Sequence, residues 1–286
     1  MLSRIPQDWP NRTLSRMVDS RPHHWHVQIA GSGPTVLLLH GTGSSAHTWR
    51  GILPRLLPHA RVVAPDLPGH GFTRMRTRQR SSLPAMAEDL LQLCRTLEAS
   101  PDLIVGHSAG AALAVRISSR MDPLVPVIGL NAALTPFRGP ASWIFPMMAR
   151  TLAAVPLVPS AVSGVLSATG AIGPLLKATG SRLDEAGLRY YRHLVSRPDH
   201  VEGAIAMMSQ WSAEQVGTDL ETFLAPLTLM TGTLDATVPP DESERAAAQA
   251  PNSSVESLGN LGHLAHEEAP ETVADAILEK IKQPSA

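Results

Sequence analysis

Apolar and polar positions along the chain follow two patterns in turn, which predict alternating strands and helices. Continuous apolar runs, typical of strands covered on both faces, occur at "TVLLL", "RVVAP", "DLIVG", "VPVIGL" and "PLTLM". Between them, "LPAMAEDLLQLCRTLEA", "PDESERAAAQA" and "PETVADAILEKI" carry apolar residues at helical spacing. Together with a predicted hairpin over residues 16–30 and a short strand at "SSVESLG", these patterns predict an α/β protein with a mostly parallel eight-stranded sheet and helices on both faces.

The alternation stops between about Pro136 and Trp211, where the sequence contains only helix-like pieces separated by Pro and Gly. We interpret this stretch as a helical cap inserted into the core. The predicted organisation is a first core part over residues 1–135, a cap over 136–211 and a second core part over 212–286. Ligands of open α/β sheets bind at the carboxyl ends of the strands, so the cap is expected to cover the site.

Composition narrows the class of protein. With a net charge of −1 over 286 residues, the chain has no overall field that would recruit nucleic acid. The run Arg74, Arg76, Arg78 and Arg80 is expected to lie in a solvated loop. The single cysteine, Cys94, excludes an internal disulfide and fits the apolar face of a helix.

The sequence contains no recognisable signal peptide. An uncharged stretch, Thr151–Leu176, is interrupted by several Pro and Gly residues, so a membrane-spanning helix is not expected. A cytoplasmic location is predicted, with peripheral attachment to a membrane left open.

One serine lies between two glycines where a predicted strand becomes a predicted helix, in "GHSAG". A nucleophile elbow needs such a sharp turn, and flanking glycines allow neighbouring backbone to approach the strained central residue. The motif alone is also compatible with an ordinary turn. We predict that Ser108 is a nucleophile.

A serine hydroxyl needs a base, and the base needs a carboxylate that orients it. Asp235 and His263 each follow a predicted strand and occur after Ser108 in the order acid, then histidine. Helix capping by the aspartate and packing by the histidine are the competing interpretations. The backbone N–H groups of Thr42, in "HGTGSS", and Ala109 are predicted to form the oxyanion hole.

The remaining histidines suggest no metal site. His23, His24 and His26 have no cysteine or carboxylate at ligand spacing, and we interpret them as surface residues of a strand. His40 and His107 adjoin the predicted site and are expected to shape it. His266 is expected in the first turn of the last helix, and no cofactor is predicted.

Five blocks, "LLLHGTGSSAHTW", "VVAPDLPGHGFT", "VGHSAGAALA", "GTLDATVPP" and "GHLAHEEAP", resemble the α/β-hydrolase superfamily in content and order. More narrowly, "NAALTPFRG", "TGSRLD" and "GHLAHEE" resemble the magnesium chelatase accessory proteins of bacteriochlorophyll synthesis. That resemblance implies a role at or near the insertion of magnesium into protoporphyrin, with magnesium chelatase as a partner. No reaction follows from it.

The predicted cap is rich in adaptable apolar side chains, which suit a broad, flat ligand such as a tetrapyrrole but equally suit ordinary packing. They are Trp143, Phe145, Met147, Met148, Met207, Met208 and Trp211. Arg138 and Arg182 are either propionate partners or surface residues. Three functions therefore remain: hydrolysis of a tetrapyrrole ester, porphyrin binding without catalysis, and a general carboxylesterase activity.

Overall fold

Eight strands form one sheet in the computed structural model, which describes residues 5–135, 155 and 157–282. The strands are β1 (Ser15–Ser20), β2 (His23–Ala30), β3 (Thr35–Leu39), β4 (Arg61–Pro65), β5 (Leu103–His107), β6 (Val127–Leu130), β7 (Leu227–Thr231) and β8 (Ser253–Ser257). Their order is β1-β2-β4-β3-β5-β6-β7-β8. The β1–β2 and β2–β4 pairs are antiparallel, and all other pairs are parallel. The predicted fold class and hairpin are confirmed.

Eleven α-helices occur within the described residues. They are α1 (Leu53–Leu56), α2 (Leu83–Thr96), α3 (Ala109–Ser118), α4 (Val158–Thr169), α5 (Ile172–Ala178), α6 (Glu185–Val195), α7 (Pro198–Gln210), α8 (Ala213–Glu221), α9 (Pro240–Ala247), α10 (Ala265–Glu268) and α11 (Pro270–Lys282). In α2, Leu83, Met86, Leu90 and Leu93 repeat every three or four residues and are all buried, which explains why this helix packs on the sheet. Pro84 lies in its first turn, where a missing N–H removes no helical bond.

The core lies on both faces of the sheet. Leu37 and Leu39 of β3 belong to one apolar cluster with residues of α2 and α3, whereas Val36 and Leu38 belong to another with residues of α1 and α11. Successive side chains of a strand point to opposite faces, so a strand covered on both sides must be apolar throughout. Cys94 of α2 is a buried free thiol in the first cluster, as predicted.

Helices α4 to α7 come between β6 and β7 in the chain, and α7 touches the loop that follows β4. A Cβ atom on Gly203 would lie 2.2 Å from the carbonyl oxygen of Gly69, so the two backbones are in direct contact. The ring of Trp9 packs edge-on against Phe72 and Tyr190, with centroids 4.9 and 5.3 Å away. The N-terminal segment thereby joins α6 to the core.

Within the described ranges, no single helix is both long and apolar enough to cross a membrane. Helices α4 and α5 meet the length and composition criteria only as a pair, with a 90° bend between them.

Candidate active site

Ser108 forms the sharp turn between β5 and α3, with φ 52° and ψ −120°. A non-glycine residue rarely adopts positive φ, so the surrounding contacts must hold this conformation in place. A Cβ atom on Gly106 would lie 2.3 Å from the Gly110 carbonyl oxygen, and one on Gly110 would lie 2.3 Å from that of Leu39. Only glycine fits two residues before and two residues after the serine, which is the physical basis of the "GHSAG" pattern.

Asp235 lies in the loop after β7 with its side chain fully buried. Its Oδ1 accepts the backbone N–H groups of Thr237 and Val238 at 2.7 and 2.9 Å. Its Oδ2 accepts from His263 Nδ1 at 2.8 Å and from Asn131 Nδ2 at 2.7 Å. Four donors therefore fix the carboxylate in one orientation, and one of them is the predicted base.

His263 is held by contacts to both its ring and its backbone. While Nδ1 faces Asp235, the backbone carbonyl accepts from His107 Nε2 at 2.9 Å, and the two imidazole centroids are 4.8 Å apart. No hydrogen bond joins Ser108 Oγ to His263 among the described residues. The serine and the histidine are linked through His107, the residue that precedes the serine. Such contacts are often long without substrate and shorten in the reacting complex.

The predicted oxyanion-hole segments lie beside the serine. A Cβ atom on Gly41, which precedes Thr42, would lie 3.1 Å from Ser108 Cβ, so the loop after β3 packs against the elbow. Ala109 is the first residue of α3, whose positive dipole end faces this position. Among the described residues, no hydrogen-bond acceptor engages the backbone N–H of Thr42 or Ala109.

His40 and His107 flank the site as neutral supports. His40 Nε2 accepts the Leu67 N–H at 2.9 Å, and its Nδ1 donates to the Gly41 carbonyl at 2.7 Å. Burial lowers the pKa of His40, and burial with the neighbouring imidazoles of His266 and His263 lowers the pKa of His107 well below its usual value. Neutral imidazoles can both donate and accept, which lets these residues join loops that meet at the site.

Four of the residues predicted to line the cap lie within the described residues. Met207 of α7 is buried, and its sulfur lies 3.4 Å from Thr42 Oγ1, close to the predicted oxyanion hole. Trp211 is half-buried against the core, while Met208 and Arg182 are exposed. Arg138, Trp143, Phe145, Met147 and Met148 lie outside the described residues.

A second polar cluster ties α6 to the helix after His263. The buried carboxylate of Glu267 accepts from Thr48 Oγ1 and Tyr191 Oη, both at 2.7 Å, and pairs with Arg50. Burial raises the pKa of Glu267 despite these partners. His266, expected in the last helix, lies instead in the short α10, because the last helix begins only at Pro270.

The interpretation of the N-terminal histidines as surface residues is wrong. His23, His24 and His26 are buried, with ring nitrogens 3.0, 2.8 and 2.7 Å from Asp89, Asp19 and Asp66, respectively. Strand β2 lies between β1 and β4, and His23 on one face meets Asp89 of α2 while His26 on the other meets Asp66 of the loop after β4, so both faces are covered. The described residues contain no cluster of three or more His, Cys, Asp or Glu that could hold a metal ion.

Asn131 and Asp66 are two buried polar residues of the site region that the sequence did not predict. Asp66 accepts from His26, from the Phe72 N–H and from the Ala46 N–H, each at 2.7 Å, and so braces three segments. Asn131 directly follows β6, and Asp66 directly follows β4. A polar residue at the carboxyl end of a buried strand is the sequence signal that could have identified them.

The eight-stranded sheet, the serine elbow and the buried Asp–His pair define an α/β hydrolase. The model of the alpha/beta hydrolase family matches residues 36–276, and the chain belongs to this family. The chain is 41% identical over 278 residues to the magnesium-chelatase 30 kDa subunit of Rhodobacter capsulatus, covering 96% of this chain and 97% of that protein.

Solved structures support the fold alone. An esterase from Thermogutta terrifontis matches with a TM-score of 0.73 and 23% identity, covering 94% of this chain and 99% of that one. A bromoperoxidase from Bacillus anthracis matches with a TM-score of 0.75 and 20% identity, covering 94% and 100% of the two chains. These two proteins carry different activity names, so the shared fold does not select a reaction.

Proposed function

We propose that this protein is a serine hydrolase of bacteriochlorophyll biosynthesis that cleaves an ester of a bulky apolar tetrapyrrole at or near magnesium insertion. The strained Ser108 elbow beside the buried Asp235–His263 pair supports hydrolysis. The similarity to a magnesium-chelatase subunit supports the pathway and an association with magnesium chelatase. The activity needs no cofactor, because side chains supply the nucleophile and the base.

Ser108 acts as the nucleophile in this proposal, and His263 as its base. Since His263 Nδ1–H is donated to Asp235, Nε2 is free of a proton and can accept the one from Ser108 Oγ. The bond from Oγ to the ester carbon then forms, and the Thr42 and Ala109 N–H groups stabilise the oxyanion. The alcohol leaves with the proton from His263, and water activated by the same histidine releases the acid and restores the serine.

The cap, assigned to residues 136–211, supplies the tetrapyrrole-binding surface. Met207 of α7 contacts Thr42 and so places an apolar side chain where the macrocycle would lie over the oxyanion hole. His40 and His107 hold the loops of this surface in position. Arg138 and Arg182 would meet propionate carboxylates, and the other apolar cap residues, including Met208 and Trp211, would contact the ring.

Porphyrin binding without catalysis is the second candidate function. It is favoured by the name of the relative from Rhodobacter capsulatus, which is that of a chelatase subunit. A general carboxylesterase activity would use the same serine on smaller esters. The three functions differ in two measurable properties, the reactivity of Ser108 and the affinity for porphyrin.

Labelling with a fluorophosphonate probe and titration with protoporphyrin separate these candidates in one preparation. We expect labelling at Ser108 together with saturable micromolar binding, and loss of labelling alone in Ser108→Ala. Ser160→Ala, an exposed serine of α4, is the matched control and should label normally. Binding without labelling would indicate an accessory protein, and labelling without binding would indicate a general esterase.

A further inference from the structure

Asn131 contacts the same carboxylate oxygen as the proposed catalytic histidine. It follows β6 directly, is fully buried, and donates from Nδ2 to Asp235 Oδ2 at 2.7 Å. That oxygen also accepts from His263 Nδ1 at 2.8 Å. Because β6 and β7 are parallel neighbours, their carboxyl ends meet at one edge of the sheet, which brings Asn131 to the loop that carries Asp235.

The amide can face the carboxylate in only one way. An ionised carboxylate has no proton to donate, so the NH₂ group of Asn131 must point toward Asp235. The amide oxygen is buried and has no hydrogen-bond partner in the described part of the chain. The side chain is thus placed so that the Asp235 carboxylate gains a hydrogen-bond donor while the amide oxygen of Asn131 is left without one.

The backbone of Asn131 is adapted to the same contact. Its N–H donates to the Met230 carbonyl at 2.8 Å, and its φ of 46° lies in the left-handed region. Asparagine tolerates this region better than most residues, and the turn directs its short side chain toward the loop after β7. Asp235 Oδ1 is held by Thr237 and Val238 of its own loop, so Asn131 is the group from another strand that holds Oδ2.

We propose that Asn131 is a positioning residue that keeps the Asp235 carboxylate directed at His263. The amide donor prevents rotation of the carboxylate and keeps Oδ2 available as the partner of the imidazolium that forms during the reaction. The catalytic meaning of this role rests on the proposed function, whereas the orientation of Asp235 and His263 does not.

Two variants change the amide while keeping the turn. Asn131→Gly removes the donor and suits a left-handed backbone, and Asn131→Asp keeps the size but replaces the donor by a second carboxylate. Asn11→Gly, at a remote left-handed asparagine with φ 54°, is the matched control for the backbone effect. Circular dichroism and thermal melting verify that all three remain folded.

The first measurement does not depend on Ser108. In protein labelled with ¹⁵N-histidine, the His263 signal is assigned by its absence from His263→Gln. We expect its Nδ1–H resonance to shift or broaden in both Asn131 variants and to stay unchanged in Asn11→Gly. An unchanged His263 resonance in Asn131→Gly and Asn131→Asp would overturn the proposal, whatever the serine does.

The second measurement compares fluorophosphonate labelling rates across pH. Loss of a hydrogen bond to a charged group corresponds to roughly a tenfold to hundredfold slower rate, which we expect for Asn131→Gly relative to the wild type at every pH. For Asn131→Asp, the rate relative to wild type should recover at least about fivefold from pH 8.5 to 6, because a proton shared by the two carboxylates restores a donor. If Asn131 contributed to folding alone, the labelling rate of each folded variant divided by that of the wild type would stay near one.

The two measurements distinguish the failure of this proposal from that of the proposed function. If the His263 resonance responds but wild-type Ser108 does not label, the nucleophile assignment fails and the positioning role stands. If Ser108 labels at the wild-type rate in Asn131→Gly, the positioning role fails and the hydrolase assignment stands.

Discussion

Two of the buried aspartate–histidine pairs, at different strands of the sheet, have nearly the same geometry. His263 Nδ1 lies 2.8 Å from Asp235 Oδ2 after β7 and β8, and His26 Nδ1 lies 2.7 Å from Asp66 Oδ2 at β2 and β4. Both carboxylates are fully buried. By distance and burial alone, either pair could support a base.

The second ring nitrogen separates the two pairs. His26 Nε2 is 2.9 Å from Ser15 Oγ, and the whole side chain is enclosed. His263 Nε2 has no hydrogen-bond partner among the described residues, and the side chain remains 9% exposed beside the Ser108 elbow. A histidine acts as a base only when one nitrogen is oriented and the other is open to a reacting proton.

The carboxylates also differ in what they connect. Asp66 accepts N–H groups from Ala46 and Phe72, in two separate segments. Burial would raise the pKa of Asp66, but the charge and hydrogen bond of His26, together with His40 and the Ala46 N–H, hold it far below the usual range. Asp235 accepts hydrogen bonds from its own loop, from His263 and from Asn131. We therefore expect losses at Asp66 to reduce stability and losses at Asp235 to reduce reactivity.

The largest expected difference comes from removing each histidine. His263→Ala should slow labelling of Ser108 by about 10⁶-fold, the scale found when a triad base is removed. Its loss of stability should be smaller than that of His26→Ala, because Asp235 keeps three donors, from Thr237, Val238 and Asn131. His26→Ala should label at the wild-type rate per folded molecule, but breaking a buried pair should destabilise the protein by about 3–5 kcal/mol. Labelling kinetics and urea unfolding measure the two effects. Normal labelling of His263→Ala would refute the contrast.

Replacing each carboxylate by an amide should give a smaller but parallel difference. Asp235→Asn should slow labelling by about 10⁴-fold, because the amide no longer selects the histidine tautomer that accepts the serine proton. Asp66→Asn should keep its labelling rate and melt several degrees lower, since the His26 ring loses its charged partner. Comparable labelling losses in the two variants would contradict the assignment of separate roles.

The contribution of the Asp66–His26 pair should appear in how the free energy of unfolding depends on pH in acid. The pKa of Asp66 is depressed in the folded protein, so its contribution is present above the ordinary carboxyl value of 3.8 and is lost as pH falls below it toward the native value. One linked proton changes stability by about 1.4 kcal/mol per pH unit. Asp66→Asn should therefore show a flatter decline in unfolding free energy below pH 4 than the wild type. Asp275→Asn, an exposed residue of α11, should follow the wild type.

The smallest expected effect concerns the cap above the open pair. Protoporphyrin should slow fluorophosphonate labelling of Ser108 in a saturable manner. Met207→Ala should weaken this protection about fivefold, because it removes an apolar contact worth about 1 kcal/mol. Met208→Ala, at the exposed neighbour, tests the predicted contact at that position. Porphyrin should still quench the tryptophan fluorescence of Ser108→Ala on titration. Labelling unaffected by saturating porphyrin would remove the tetrapyrrole from the proposed function.

Local sequence patterns were sufficient wherever neighbours in the chain decide the conformation. The glycines around Ser108 predicted the elbow because Gly106 relieves crowding from Gly110 and Ala111 of the same strand–turn–helix unit, whereas the crowding at Gly110 comes from the end of β3. Asn131 could not be found in this way, since its role exists only when the ends of β6 and β7 meet. The burial of His23, His24 and His26 was likewise missed, because the sequence of a strand does not show which helices and loops pack on its two faces, here α2 at His23 and the loop after β4 at His26.

By itself, the sequence determined the alternation of strands and helices, the strained serine turn, and the placement of Asp235 and His263 in the loops that follow β7 and β8. The tertiary structure alone decided which buried histidine has an open nitrogen and which carboxylate braces loops. The physical reason is that a His–Asp pair takes its chemistry from the groups around it. Those groups come from segments up to 156 residues apart, as between His107 and His263, and only the folded sheet brings them together.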